Sequence, residues 1–186
     1  LFNLNKDNGS SVVMIDDEYG KRIAELNSNV KCISLKNEDA DYFCTSHSIN
    51  SFGLAGTLAW DSETLDFESK LIGSFNLENL ILAASIAIEL NISRQSILEG
   101  IKNCENIDGR LHLVKNTSNQ MIFLDYAHSP DAYFRTLKAL KENFSRPLKV
   151  LFGAGGGRDK SKRPKMAEVV EKYSIECYLA VSYTHL

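Results

Sequence analysis

Two stretches in the second half of the chain constrain the fold more than any other feature. "MIFLDYAHSPDAYFRTLKALKENF" (121–144) and "LKVLFGAGGGRDKSKRPKMAEVVEKY" (148–173) each run from an apolar segment, through polar or glycine-rich residues, into an amphipathic stretch. A strand-then-helix unit met twice in succession predicts parallel strands, because only a long crossover returns the chain to the same sheet edge. In the first unit Ser129 is placed as the N-cap and Pro130 at the first helical position. Tyr133, Leu137, Leu140 and Phe144 share one stripe. In the second, "LKVLFG" predicts a strand and "KMAEVVEKY" a helix, with Pro164 suited to its first turn. The expected class is α/β, a doubly wound parallel sheet. Such sheets bind ligands beyond the carboxyl ends of their strands, where both "DYAH" and "GAGGGRD" fall.

The first half has the same rhythm. "SVVMI" and "KCISL" read as strands around the helical "KRIAELNSN". "LAGTLAW" and "TLDFES" form a predicted hairpin about "DSE". In its second arm Leu65 and Phe67 alternate with Asp66 and Glu68, leaving one face wet. "GSFNLENLILAASIAIELN" turns helical with Leu77, Leu80, Ile81, Ala84 and Ile88 on one stripe, and Ser93 is the predicted N-cap of the helix that follows. The Asp108-Gly109 turn signal in "CENIDGRLHLV" opens a new pattern. Two domains are therefore expected, 1–107 and 108–186.

Composition narrows the function. The 186 residues are 44% hydrophobic and 24% charged, an ordinary globular balance. A net charge of −3 argues against wholesale nucleic-acid binding, despite the basic run Lys160, Lys162, Arg163 and Lys165. The four cysteines form no C-x-x-C pair and the four histidines no H-E-x-x-H spacing, so neither a zinc site nor a disulfide framework is indicated. Reduced thiols suit the cytosol. The most apolar stretch, "LILAASIAIEL", is too short to cross a bilayer. The chain opens without a methionine and closes where a strand is starting, so it reads as a fragment.

Several clusters could carry chemistry. Asp125, Tyr126 and His128 stand at a strand end. There a carboxylate could accept ribose hydroxyls or orient a metal, or could serve only backbone donors of the next loop. Asp16 and Asp17 could hold Mg²⁺, but equally suit a helix N-terminus. Arg110 could clamp phosphate or ribose, or form an interdomain salt bridge. Asn76 and Asn79, three apart, could read a base edge or cap a helix. The glycine cluster 153–157 matches neither G-x-x-x-x-G-K-[ST] nor G-x-G-x-x-G, because Arg158 occupies the decisive position. Arg158 beside such a turn could bind a carboxylate bidentately. The same stretch also reads as a flexible loop with a solvated basic face.

Taken in order, "VMIDDEYG", "GSFNLEN", "IDGRLHLV", "DYAHSPDA" and "GAGGGRDKSKRPKMA" resemble the Mur ligases, the ATP-dependent amino-acid ligases of peptidoglycan synthesis. The likeness is strongest to the members that add the third residue of the stem peptide (the MurE type). It implies the C-terminal part of a P-loop-type central ATPase domain, then the first part of a Rossmann-like C-terminal domain. It implies ATP and Mg²⁺, and a carboxylate activated as an acyl phosphate before an amine attacks it. The substrates implied are UDP-N-acetylmuramoyl-L-Ala-D-Glu and diaminopimelate or lysine, with a cytoplasmic monomer and no membrane or nucleic-acid partner. By resemblance Asn76 lies near the adenine, and Arg110 and Asp125 near the ribose and phosphates. His128 belongs to the same ATP motif. Arg158 binds the incoming amino acid, so the glycine cluster serves the acceptor. No catalytic residue and no metal ligand is assigned.

Departures bear on activity. The family's G-T-x-G-K-[ST] loop, its carbamylated lysine and the D-N-P-x motif that selects the amino acid are not found in this sequence. About 182–186, "YTHL" and its neighbour read as foreign or frameshifted. The chain by itself is expected to have no ligase activity. The alternatives are a related ligase, of folylpolyglutamate or cyanophycin synthetase type, and a non-catalytic nucleotide-binding module.

Overall fold

Asp17 starts the first helix by accepting from the Gly20 N–H at 2.7 Å, as an N-cap does. The structure, a computed structural model, describes residues 11–118, 120–153 and 159–180. It divides into two compact units, Leu1–Glu105 and Asn106–Leu186.

In the first unit a five-stranded sheet runs in the order β1 (Ser11–Met14), β2 (Val30–Ser34), β3 (Tyr42–Asn50), β4 (Gly53–Trp60), β5 (Glu63–Ser69). The first three strands are parallel, with helix α1 (Glu18–Leu26) in the β1–β2 crossover. The last three are antiparallel. The hairpin expected over 54–69 forms as β4 and β5, and on β5 Leu65 and Phe67 are buried while Asp66 and Glu68 are exposed. β3 is the unexpected strand. Thr45 to Ser48 are polar and exposed, so no alternation marks them. Pairing with β4 holds the strand extended, with a register shift between Cys44 and Ser46.

Helices α2 (Ser74–Glu89) and α3 (Arg94–Asn103) complete this unit. Leu77, Leu80, Ile81 and Ala84 are buried as the stripe predicts, in one core with Ile33, Cys44, Leu58, Leu65 and Phe67, and Ile88 packs partly buried against it. Ser93 caps α3 by accepting from the Ser96 N–H. At the far end of α2, Tyr42 donates its hydroxyl to Glu89 at 2.8 Å. Burial first, and the Glu89 bond next, push that hydroxyl up.

The second unit contains an antiparallel pair, β6 (His112–Leu113) with β7 (Phe123–Leu124), and a parallel pair, β8 (Lys149–Phe152) with β9 (Glu176–Leu179). Helix α4 (Pro130–Asn143) begins at its predicted cap, with Ser129 Oγ accepting from the Ala132 N–H. Helix α5 (Lys162–Tyr173) starts three residues ahead of the expected "KMAEVVEKY". Tyr133 and Leu137 of α4 and Met166 and Val170 of α5 bury against Val150 and Phe152 of β8. The β8–α5–β9 unit has the expected parallel strand–helix–strand form, whereas among the described residues β7, the strand of the preceding unit, pairs antiparallel with β6 and not with β8. β7 is shorter than expected, and its antiparallel pairing with β6 is continued by the Val114 N–H bonded to the Ile122 carbonyl. Among the described residues no helix is long and apolar enough to cross a membrane.

Candidate functional site

The residues after β7 gather around one carboxylate. Asp125 Oδ1 accepts from the Ala127 N–H at 2.9 Å and from the Thr136 hydroxyl of α4 at 3.1 Å. Its Oδ2 accepts from the Leu111 N–H at 2.9 Å. The Tyr126 N–H donates to the Gly109 carbonyl at 2.7 Å, so two bonds tie segment 109–111 to 125–126. That segment is a sharp turn. Gly109 has φ +68°, which glycine adopts freely, but Leu111 has φ +44° and is buried. A branched side chain in the left-handed region costs on the order of 1–3 kcal/mol and persists only where neighbours over-determine it. The bond from Asp125 is one such determinant.

Between these two residues stands Arg110. Its guanidinium carbon lies 5.9 Å from the centre of the Tyr126 ring, within cation–π range. His128 meets the same ring edge-on at 5.5 Å, and its Nδ1 donates to the Tyr126 carbonyl at 3.0 Å. Arg110, Tyr126 and His128 are exposed, whereas Asp125 is half-buried. The result is a carboxylate held by three hydrogen bonds, next in the chain to an aromatic ring that meets an exposed cation and an imidazole. Such a set suits a planar or anionic ligand. Tyr133 lies behind it, its hydroxyl pushed up by burial and then by the Asp125 charge.

Sequence reasoning named Asp125, Arg110 and His128, and the structure brings them together within the second unit. It also shows Asp125 bonded mainly to its own chain. Thr136 was missed. Its signal was a lone hydroxyl beside the apolar Tyr133–Leu137 stripe of a predicted helix.

Asn76 lies in the first unit, on the first turn of α2, with 1% exposure. Its amide nitrogen donates to the Ile72 carbonyl at 2.8 Å. Its Oδ1 is buried and, among the described residues, has no hydrogen-bond partner. Buried polar atoms are nearly always paired, so an orphan acceptor needs an explanation. Asn79 is exposed.

Asp16 and Asp17 are occupied by local structure. Asp17 caps α1, and Asp16 accepts from the Ser34 hydroxyl and from the Leu35 N–H at 2.8 Å. Ser34 Oγ in turn accepts from the N–H groups of Lys36 and Asn37 at 2.9 and 2.8 Å. Ser34 is fully buried, so Ser34→Ala strands donors and acceptor together. The expected loss is about 2 kcal/mol, read as a lowered urea midpoint. A variant as stable as the parent would remove Ser34 from the support of this loop.

Arg158 lies outside the described residues, as do the other positions 154–157 of the glycine cluster and 181–186. Beyond it, Asp159 Oδ1 accepts from the Ser161 N–H at 3.0 Å and hydroxyl at 2.6 Å, which lowers the Asp159 carboxyl below its usual range. Among the described residues no three His, Cys, Asp or Glu side chains are grouped to hold a metal ion.

Comparison with known proteins adds to this geometry. Residues 1–88 match the Mur ligase middle domain and residues 109–184 the Mur ligase glutamate ligase domain. The chain is 36% identical over 171 residues to the UDP-N-acetylmuramoyl-L-alanyl-D-glutamate--2,6-diaminopimelate ligase of Prochlorococcus marinus strain SARG, covering 88% of this chain and 34% of that protein. A solved structure of a ligase with the same name aligns at a TM-score of 0.64 and 29% identity, over 91% of this chain and 36% of the other. The folylpolyglutamate synthetase of Lactobacillus casei aligns at 0.65 with 20% identity, over 91% and 49%, a likeness of fold alone. The chain spans about a third of the length of the curated relatives it matches.

Proposed function

Since this chain belongs to the Mur ligase family, carrying its middle and glutamate ligase domains, we propose that it forms part of an ATP-dependent ligase of peptidoglycan synthesis. The reaction adds diaminopimelate or lysine to UDP-N-acetylmuramoyl-L-Ala-D-Glu. One observation carries the reading. Identity to ligases of that name runs along 88% of the chain, through both matched domains.

The reaction proceeds in two displacements. A carboxylate oxygen of the nucleotide peptide takes the terminal phosphoryl group of ATP, releasing ADP. The amine of the incoming amino acid then attacks the acyl carbon, and phosphate leaves. Catalysis of this kind rests on positioning and on fixed charge near the transferring group.

Taken each within its own unit, the residues assigned by family resemblance have side chains of the kind a nucleotide needs. The orphan Oδ1 of Asn76 is an acceptor for an adenine amine once the atoms covering it yield. Arg110 supplies fixed positive charge for phosphate or ribose oxygens. Asp125, with three of its acceptor positions used, has room for one more donor such as a ribose hydroxyl. His128 borders the same place, and Arg158 is assigned to the carboxylate of the incoming amino acid. Among the described residues no three His, Cys, Asp or Glu side chains are grouped to hold a magnesium ion. The enzyme works in the cytoplasm as a monomer, on small-molecule substrates. Its product feeds cell-wall growth, and with it cell shape and division.

The test is a substrate panel on the full-length protein read from the source locus. ADP release dependent on both the muramyl dipeptide nucleotide and diaminopimelate or lysine is the expected result. ADP release that follows folate and glutamate instead would overturn the assignment in favour of the related synthetase. ATP binding without turnover on any acceptor would favour a non-catalytic module.

A further inference from the structure

We propose that Thr136 is a positioning residue for the nucleotide, acting through Asp125 on the turn that carries Arg110. The proposal rests on the ligase reading above. An ionised carboxylate offers about four acceptor sites, and Asp125 spends three inside its own unit. One is local, to the Ala127 N–H two residues on. The other two reach outward, to the Leu111 N–H and to the Thr136 hydroxyl. The terminal torsion of an aspartate is broad and two-fold, so its own rotamer preference does not hold the carboxylate plane. Thr136, on the first half of α4, supplies a contact from a rigid element.

What that contact protects is the strained turn. Leu111 keeps its left-handed backbone while its N–H is held by Asp125 Oδ2, and Arg110 is the residue just before it. Remove the Thr136 hydroxyl and the carboxylate is free to rotate. The Leu111 bond then weakens, the backbone relaxes toward negative φ, and the guanidinium leaves the Tyr126 ring. Thr136 reaches Arg110 only through the chain of bonds from Asp125 to Leu111. Its effect is confined to how well the cation is pre-placed, which sets affinity for the nucleotide and not for the amino acid.

The experiment compares Thr136→Val, Thr136→Ala and Thr136→Ser with wild type in the full-length protein. Val removes the hydroxyl at nearly constant shape, Ala does so without added bulk, and Ser restores it. The expected result is a rise of about five-fold in the KM for ATP for Val and Ala, the size of one lost hydrogen bond. The KM for the amino acid and kcat stay within about two-fold, and Ser returns the ATP value to near wild type. Faster hydrogen exchange at the Leu111 amide in the Val variant accompanies it. Equal loss for all substrates, or unfolding of both Val and Ala, would show a structural role only and overturn the proposal. So would an unchanged ATP KM in a wild-type-active background. A wild type that consumes no ATP on any acceptor sinks the ligase reading itself, and this inference with it.

Discussion

Gly20→Ala is expected to destabilise the first unit by about 3 kcal/mol, at the upper end for a single overpacked site. Gly20 is buried in the first turn of α1, where the helix approaches β1. A methyl group there would meet the Met14 carbonyl oxygen at 1.8 Å and its carbon at 2.9 Å. Both are backbone atoms of the strand, so no side chain can swing aside. Either α1 lifts from the sheet or β1 shifts against β2, and the Asp17 cap on the Gly20 N–H moves with it. Alanine's better helix propensity, about 1 kcal/mol, offsets only part of this. Urea unfolding of the purified chain measures it. An unfolding free energy within about 0.5 kcal/mol of the parent would remove the close approach of α1 to β1 as a constraint on this position.

Asn76→Leu should separate stability from function. Leucine is close to asparagine in shape and removes a buried acceptor that has no partner among the described residues. An unsatisfied buried group costs about 1–3 kcal/mol, and its removal offsets the loss of the amide's bond to the Ile72 carbonyl, which is only half-buried. The urea midpoint should hold or rise. If Oδ1 is kept unpaired for a base, the KM for ATP of the full-length protein should rise ten-fold or more, as befits a lost buried hydrogen bond. A strained or unsatisfied group that persists against stability is what a binding site leaves behind. A folded variant with an unchanged ATP KM would take Asn76 out of the site and leave its orphan oxygen to a different cause.

Much of the architecture was legible because it is written in local patterns. The α2 stripe, the Ser93 and Ser129 caps and the β4–β5 alternation depend on residues within one element, and each formed where it was expected. β3 was not legible. Its polar run from Thr45 to Ser48 becomes a strand only by pairing with residues ten or so positions away, a contact that leaves no periodic trace. β7 was legible as apolar but not in its partner, since its pairing with β6 is made of backbone bonds.

The candidate site divides in the same way. Residue types and their order left Asp125, Arg110, His128, Asn76 and Arg158 as candidates, and the family resemblance carried by the same motifs singled them out; the matched family domains were legible there too. Chemistry of that kind is carried by identity and spacing, which one chain displays without folding. How the groups are held was decided only in three dimensions. That Asp125 is largely spent on Leu111, Ala127 and Thr136, that Arg110 rests over Tyr126, and that Asn76 keeps one oxygen unpaired are all consequences of which donors reach which acceptors. Hydrogen bonds between residues eleven or fourteen positions apart follow no sequence period, because the turn and helix that bring them together are set by packing elsewhere in the unit.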